Sequence, residues 1–197
     1  QLDGADRASR GVPYAGGVAV SASGYFEING GTIINCHAQD GGGVHVSNNS
    51  TFEFSDGLIS NCSAVRSGGG VFLSSSVDAS MSYGVIEDCV AHSGGGLYLM
   101  GSNTGVAFTL GEDAVIRDCR TAREPGSADQ DLPQGAGICI QVGTVLMRDR
   151  SKILNCISDS HAGGVLVREE GILEIGVQGS STDSPEIRGC QALTTEG

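Results

Sequence analysis

A net charge of −12, from 11 Lys and Arg against 23 Asp and Glu over 197 residues, argues against nucleic acid or an anionic membrane as partner. The 32 glycines, absent tryptophan and 5% aromatics exclude a wide core built on large rings, and 39% hydrophobic content in a regular pattern excludes a disordered chain. No apolar run reaches the ~18–20 residues of a spanning helix, so no membrane insertion is expected.

Along the chain the same short segments return in the same order. The first unit reads AGGVAV, then FEI at Phe26–Ile28, then TIINC ending at Cys36. The second reads GGGVHV, FEF at Phe52–Phe54 and GLISNC ending at Cys62. The third has GGGVFL and GVIEDC ending at Cys89, with either Met81 or Tyr83 in the inward slot of its middle segment. The fourth reads GGGLYL, FTL at Phe108–Leu110 and AVIRDC ending at Cys119. The fifth reads GAGICI, VLM at Val145–Met147 and KILNC ending at Cys156, and the sixth AGGVLV, LEI at Leu173–Ile175 and EIRGC ending at Cys190. Insertions at 123–134 and 176–185 lengthen the later units and are expected to form surface loops.

Segments of three to five residues that alternate in character are strands, not helices. One such unit cannot bury its own apolar faces, but it can by coiling once and stacking on the next copy about 4.8 Å away. The ladder of leucines that a leucine-rich repeat needs is missing, and propeller blades need ~40 residues or more. The sequence therefore predicts an all-β, right-handed parallel β-helix of about six turns, a single segment over residues 1–197 belonging to a longer array, its hand set by the preference of parallel crossovers. The ends, without evident caps, are expected to be covered by continuing chain or a neighbouring copy.

Phase assigns the residues. Three places before each cysteine stand Ile33, Ile59, Ile86, Ile116, Ile153 and Ile187, an inward ladder. Directly before it stand Asn35, Asn61, Asp88, Asp118, Asn155 and Gly189, residue types that tolerate a left-handed corner. Two places after it Ala38, Ala64, Ala91, Thr121, Ser158 and Ala192 are small, as a tight inward corner demands.

The column Cys36, Cys62, Cys89, Cys119, Cys156 and Cys190 has three readings: buried thiols acting as small hydrophobes, disulfides between adjacent turns, or metal ligands. Parallel Cβ vectors aim the sulfurs imperfectly for bridging, and no CxxC or recurrent Cys/His spacing appears, so neither metal nor cofactor is expected. Between the inward positions of the GGV segments lie Ala19, His45, Phe72, Tyr98, Cys139 and Leu166, which alternation points outward. An outward stripe this apolar is either a contact for another chain or domain, a surface covered in cis, or a ligand face. Asn48 and Asn49 lie in sequons within a polar turn and are accessible to glycosylation if the source glycosylates. Asp129 and Asp131 read as a solvated acidic loop, since no calcium-loop pattern surrounds them. No carboxylate cluster recurs on one face of neighbouring turns and no nucleophile–base pair is evident, so no catalysis is expected.

The GGGV, GGGV and GGGL signatures one coil apart, with F-x-F and I-x-N/D segments between, resemble the repeats of chlamydial polymorphic outer membrane proteins and related β-helical adhesins. That resemblance implies a β-helix, surface exposure and adhesion. The expected function is a non-catalytic, extracellular structural or adhesive module of a surface protein or filament. Its partners would be other copies, neighbouring domains or glycans. The alternative is a carbohydrate-binding or polysaccharide-cleaving β-helix.

Overall fold

Residues 2–3, 14–101, 106–123, 134–176 and 184–193 are described by a computed structural model. Strands are numbered β1–β21 along the chain, and every pairing is parallel, which makes the chain a β-helix whose turns lie one over the next. Four ladders run along it.

The first wall stacks β2 (Val18–Val20), β5 (Val44–Val46), β8 (Val71–Ser74), β12 (Leu97–Met100) and the leading ends of β16 (Ile138–Met147) and β19 (Val165–Ile175). The second stacks the leading ends of β3 (Tyr25–Ile34) and β6 (Thr51–Ser60), then β9 (Asp78–Met81), β13 (Ala107–Leu110) and the trailing ends of β16 and β19. The third holds the isoleucines, from the trailing ends of β3 and β6 through β10 (Val85–Glu87), β14 (Val115–Arg117) and β17 (Lys152–Leu154) to β20 (Glu186–Arg188). β1 (Leu2–Asp3) adds a rung before it, with Leu2 opposite Ile33. The fourth, beyond the cysteines, runs β4 (His37–Asp40), β7 (Ser63–Ser67), β11 (Val90–Ala91), β15 (Arg120–Thr121), β18 (Ile157–Ser158) and β21 (Gln191–Ala192). The sequence suggests three strands per unit; the fourth escaped notice because its rungs are as short as two residues and carry no apolar alternation. Six copies of each motif bound five stacking intervals, so the described coil completes about five turns rather than six.

The interior is one residue wide at the vertex between the fourth and first walls, and this is why a glycine recurs there. A Cβ on Gly17, Gly43, Gly70, Gly96, Gly137 or Gly164 would lie 2.7–2.9 Å from the isoleucine Cγ2 of its own turn and 3.3–3.5 Å from the cysteine Sγ. The six isoleucine–cysteine pairs thus fill the space the six glycines leave. Ile33 through Ile153 are buried, whereas Ile187 is 39% exposed because no described rung lies beyond it on that wall. Ala192 is exposed for the same reason, while Thr121 and Ser158 keep their place in the small-residue column by bonding each other (Oγ1 to Oγ, 3.0 Å). In the third unit Met81 fills the inward slot and Tyr83 stands outside. Of the two insertions, 124–133 and 177–183 lie outside the described residues, and with them Asp129 and Asp131.

The corner before each cysteine is left-handed in every turn, with φ of 57, 52, 52, 54 and 53° at Asn35, Asn61, Asp88, Asp118 and Asn155, and 68° at Gly189. Asn61 Nδ2 donates to Asn35 Oδ1 at 2.7 Å, so amides can link the turns here. Asp88 cannot extend that link as a carboxylate. Desolvation, with Glu87 and Asp118 adding like charge, raises its pKa above the ordinary carboxylate value. A carboxyl whose folded pKa is raised costs stability once pH exceeds that pKa, and the cost fades as pH falls below the unfolded value. Asp88→Asn is therefore expected to stabilise the chain at pH 7, by under about 1 kcal/mol for so exposed a site. Urea titrations at pH 7 and pH 3 should show the gain shrinking at the lower pH.

Candidate functional site

The outward row of the first wall is set by strict register: Ala19 against His45, His45 against Phe72, Phe72 against Tyr98, Tyr98 against Cys139, and Cys139 against Leu166. Parallel in-register pairing puts like side chains directly over one another, so the rings stack. His45 and Phe72 lie 5.0 Å apart at 9°, Phe72 and Tyr98 5.5 Å at 4°, and Tyr14 leans on His45 at 6.5 Å and 49°. The left-handed glycine corners close over the base of the row: a Cβ on Gly41 or Gly94 would be 2.8 Å from that of His45 or Tyr98, and one on Gly135 3.0 Å from that of Cys139. Tyr98 Oη donates to Gln141, whose amide donates to Glu169 at 2.9 Å.

The expected exposure of this stripe is therefore corrected. Phe72 is 7% exposed, Tyr98 8% and Cys139 1%, with His45 and Leu166 half-buried. Alternation gave the direction of these side chains correctly, but not that each ring covers its neighbour's face. Burial pushes the Cys139 thiol up to about 12 and raises the Tyr98 phenol, while lowering His45 toward the neutral imidazole against the pull of Asp40. None of these groups is activated.

All seven cysteines are free thiols. In the column each Sγ donates to the carbonyl two residues back, at 3.4, 3.4, 3.2, 3.3, 3.4 and 3.6 Å from Cys36 to Cys190. The same bond repeated six times stacks the sulfurs in one column, each in hydrogen-bonding reach of the next from Cys62 to Cys190. The neighbouring Cys89 sulfur and burial raise the Cys62 thiol, and burial raises Cys119. The column is built into the wall and core of the coil.

Two expectations about reactive groups are revised. Glu27 and Glu53 are register partners on the second wall, and Tyr25 Oη donates to both, at 3.2 and 2.9 Å. The bond to Glu53, then partial desolvation and the Glu27 charge, push Tyr25 up to about 12. Carboxylates on neighbouring turns do share a face here, and the signal was the Glu at the centre of both FEI and FEF. On the fourth wall, likewise, His37 Nδ1 and Ser63 Oγ are 2.8 Å apart, a nucleophile–base distance formed by the residues that follow two successive cysteines. Ser160 and His161 make a second such contact at 2.8 Å. Among the described residues no carboxylate is hydrogen-bonded to either ring, and no group of three or more His, Cys, Asp or Glu is placed to hold a metal. Asn48 and Asn49 are both exposed, in consecutive left-handed conformations with φ of 57 and 59°, while Ser50 is buried with its hydroxyl on the Ser47 carbonyl at 2.6 Å.

A family model described as a right-handed β-helix region matches residues 16–197, from the first glycine of the first GG motif onward. The chain belongs to the right-handed β-helix family. Among curated proteins and among solved structures nothing matches it. This right-handed β-helix thus carries two kinds of surface: a first wall whose apolar groups are stacked on themselves, and a second wall bearing a tyrosine between two carboxylates.

Proposed function

We propose that this β-helix is a non-catalytic structural or adhesive module, displayed outside the cell on a surface protein or filament. The observation that carries this reading is the repetition of one rung. The isoleucine, cysteine and glycine positions are answered by the same residue in the next turn, and even the outer aromatic row makes its contacts between turns. Such a rod resists bending and holds its walls at fixed spacing, which suits a spacer or presenting surface. Kinship with adhesins of the polymorphic outer membrane type, and partners drawn from other copies, neighbouring domains or glycans, belong to the same proposal.

The family holds both polysaccharide-cleaving enzymes and non-enzymes, and one observation favours the enzymatic reading as the alternative. Exposed Tyr25 and Glu27 and half-buried Glu53 form a hydrogen-bonded trio on neighbouring turns, and paired carboxylates are what glycoside hydrolysis uses. Incubation with a panel of neutral and acidic polysaccharides separates the readings. The structural module releases no sugar above buffer; release that disappears in Glu53→Gln would replace it with the enzymatic one.

A further inference from the structure

We infer that the corner between the second and third walls is a site of spontaneous covalent modification, where Asn29 converts through a cyclic imide to aspartate and isoaspartate. Asn29–Gly30 is the single Asn-Gly step in the sequence. β3 and β6 slip register here: Ile28 faces Phe54, Asn29 faces Asp56 and Gly31 faces Gly57, which leaves Gly30 with no partner on β6. Gly30 has φ +79°, and the nearest atom to a Cβ built on it is Asp56 Oδ2 at 3.8 Å, while nothing lies within 4 Å of one built on Gly31. Asn29, Gly30 and Gly31 are all exposed.

The turn stacked above shows the geometry this corner imposes. At Asp56–Gly57 the carboxylate folds back so that the Gly57 amide donates to Asp56 Oδ1 at 2.8 Å, which sets a backbone nitrogen beside the carboxyl carbon before it. A like fold of the Asn29 side chain, the register partner of Asp56, would set the Gly30 nitrogen beside its amide carbon. Loss of the Gly30 amide proton to hydroxide lets that nitrogen attack Cγ; a C–N bond forms, the Cγ–Nδ2 bond breaks, and the side-chain nitrogen takes a proton from water and leaves as ammonia, which regenerates the hydroxide. Water then opens the five-membered imide at either carbonyl, giving aspartate or isoaspartate. Glycine permits the closure because it has no side chain to obstruct it and adopts the required φ without strain. Either product places a new carboxylate opposite Asp56, and isoaspartate also lengthens the backbone of β3 by one carbon.

The test is to hold the folded protein at pH 8.5 and 37 °C and follow each asparagine by peptide mass spectrometry, with Asp and isoAsp products separated by chromatography. Asn29 is expected to convert about tenfold faster than any other asparagine, at a rate that rises with pH and is no lower folded than in urea. Asn29→Gln, whose longer side chain closes a slower six-membered ring, should remove the modification and leave the circular dichroism unchanged. Conversion in urea together with a folded rate tenfold or more slower would overturn the inference, since β3 would then be holding Asn29 away from the attacking nitrogen. Faster conversion at Asn49 than at Asn29 in the folded chain would overturn it equally.

Discussion

Replacing Ile59 with aspartate is expected to abolish the folded state at 25 °C. Ile59 is fully buried in the third column, above Ile33 and below Ile86. Its side chain contributes about 1.5–3 kcal/mol by burial. An unpaired carboxylate in its place costs several kcal/mol more, whether it ionises or takes up a proton. A domain of this size is stable by only ~5–15 kcal/mol, so the change removes most of the margin. A solenoid does not confine the damage, because each rung is held by its neighbours. Far-ultraviolet circular dichroism should show loss of β signal, whereas Ile59→Val should fold and shift the urea transition by only about 0.5–1.5 kcal/mol. A normally folded Ile59→Asp would mean that the inward phase is wrong.

Gly70→Ala is the second large effect, and its origin is space, not backbone freedom. The added Cβ would lie 2.6 Å from the Gly96 carbonyl oxygen, 2.7 Å from Ile86 Cγ2 and 3.4 Å from Cys89 Sγ. The carbonyl cannot retreat, because it accepts the Val71 amide at 2.9 Å in the ladder that ties the third turn to the fourth. Overpacking of this kind costs about 1–3 kcal/mol, and more where backbone must shift. Gly31→Ala is the matched control. Nothing lies within 4 Å of its Cβ and its φ is not in the left-handed region, so the change is expected to be neutral or stabilising by about 0.4–1 kcal/mol. Thermal unfolding of the two variants side by side separates the vertex from the open corner.

The inward architecture was legible because one residue per turn decides it. The isoleucine before each cysteine, the Asn or Asp at each corner and the glycine opposite each isoleucine are fixed by burial, by φ and by clearance, and these requirements repeat without change. Outward positions carry no such requirement, so the alternation that aims Phe72, Tyr98 and Cys139 away from the axis does not say what covers them. The cover is the row itself, together with the glycine corners, and stacking between turns 26 or 27 residues apart is invisible to a period-two pattern. The Glu27–Glu53 pair and the His37–Ser63 contact were missed for a related reason. Glutamates face each other there in one pair of adjacent turns only, and His37 and Ser63 each occur once in their column, which breaks the pattern instead of making it. The wall that gave the clearest motif therefore turned out more closed than its letters suggested, and the plainer walls more open.

The central claim is that the outer aromatic row belongs to the rod and holds its turns together. Phe72→Ser tests it most directly, with melting temperature and sedimentation measured on the same sample. Phe72 is 7% exposed, flanked by His45 and Tyr98, and its loss should cost about 3 kcal/mol, or roughly 6–12 °C for a chain of this length, with the association state unchanged. An unshifted melting temperature, accompanied by a change in association, would contradict the account and restore the row to a contact surface.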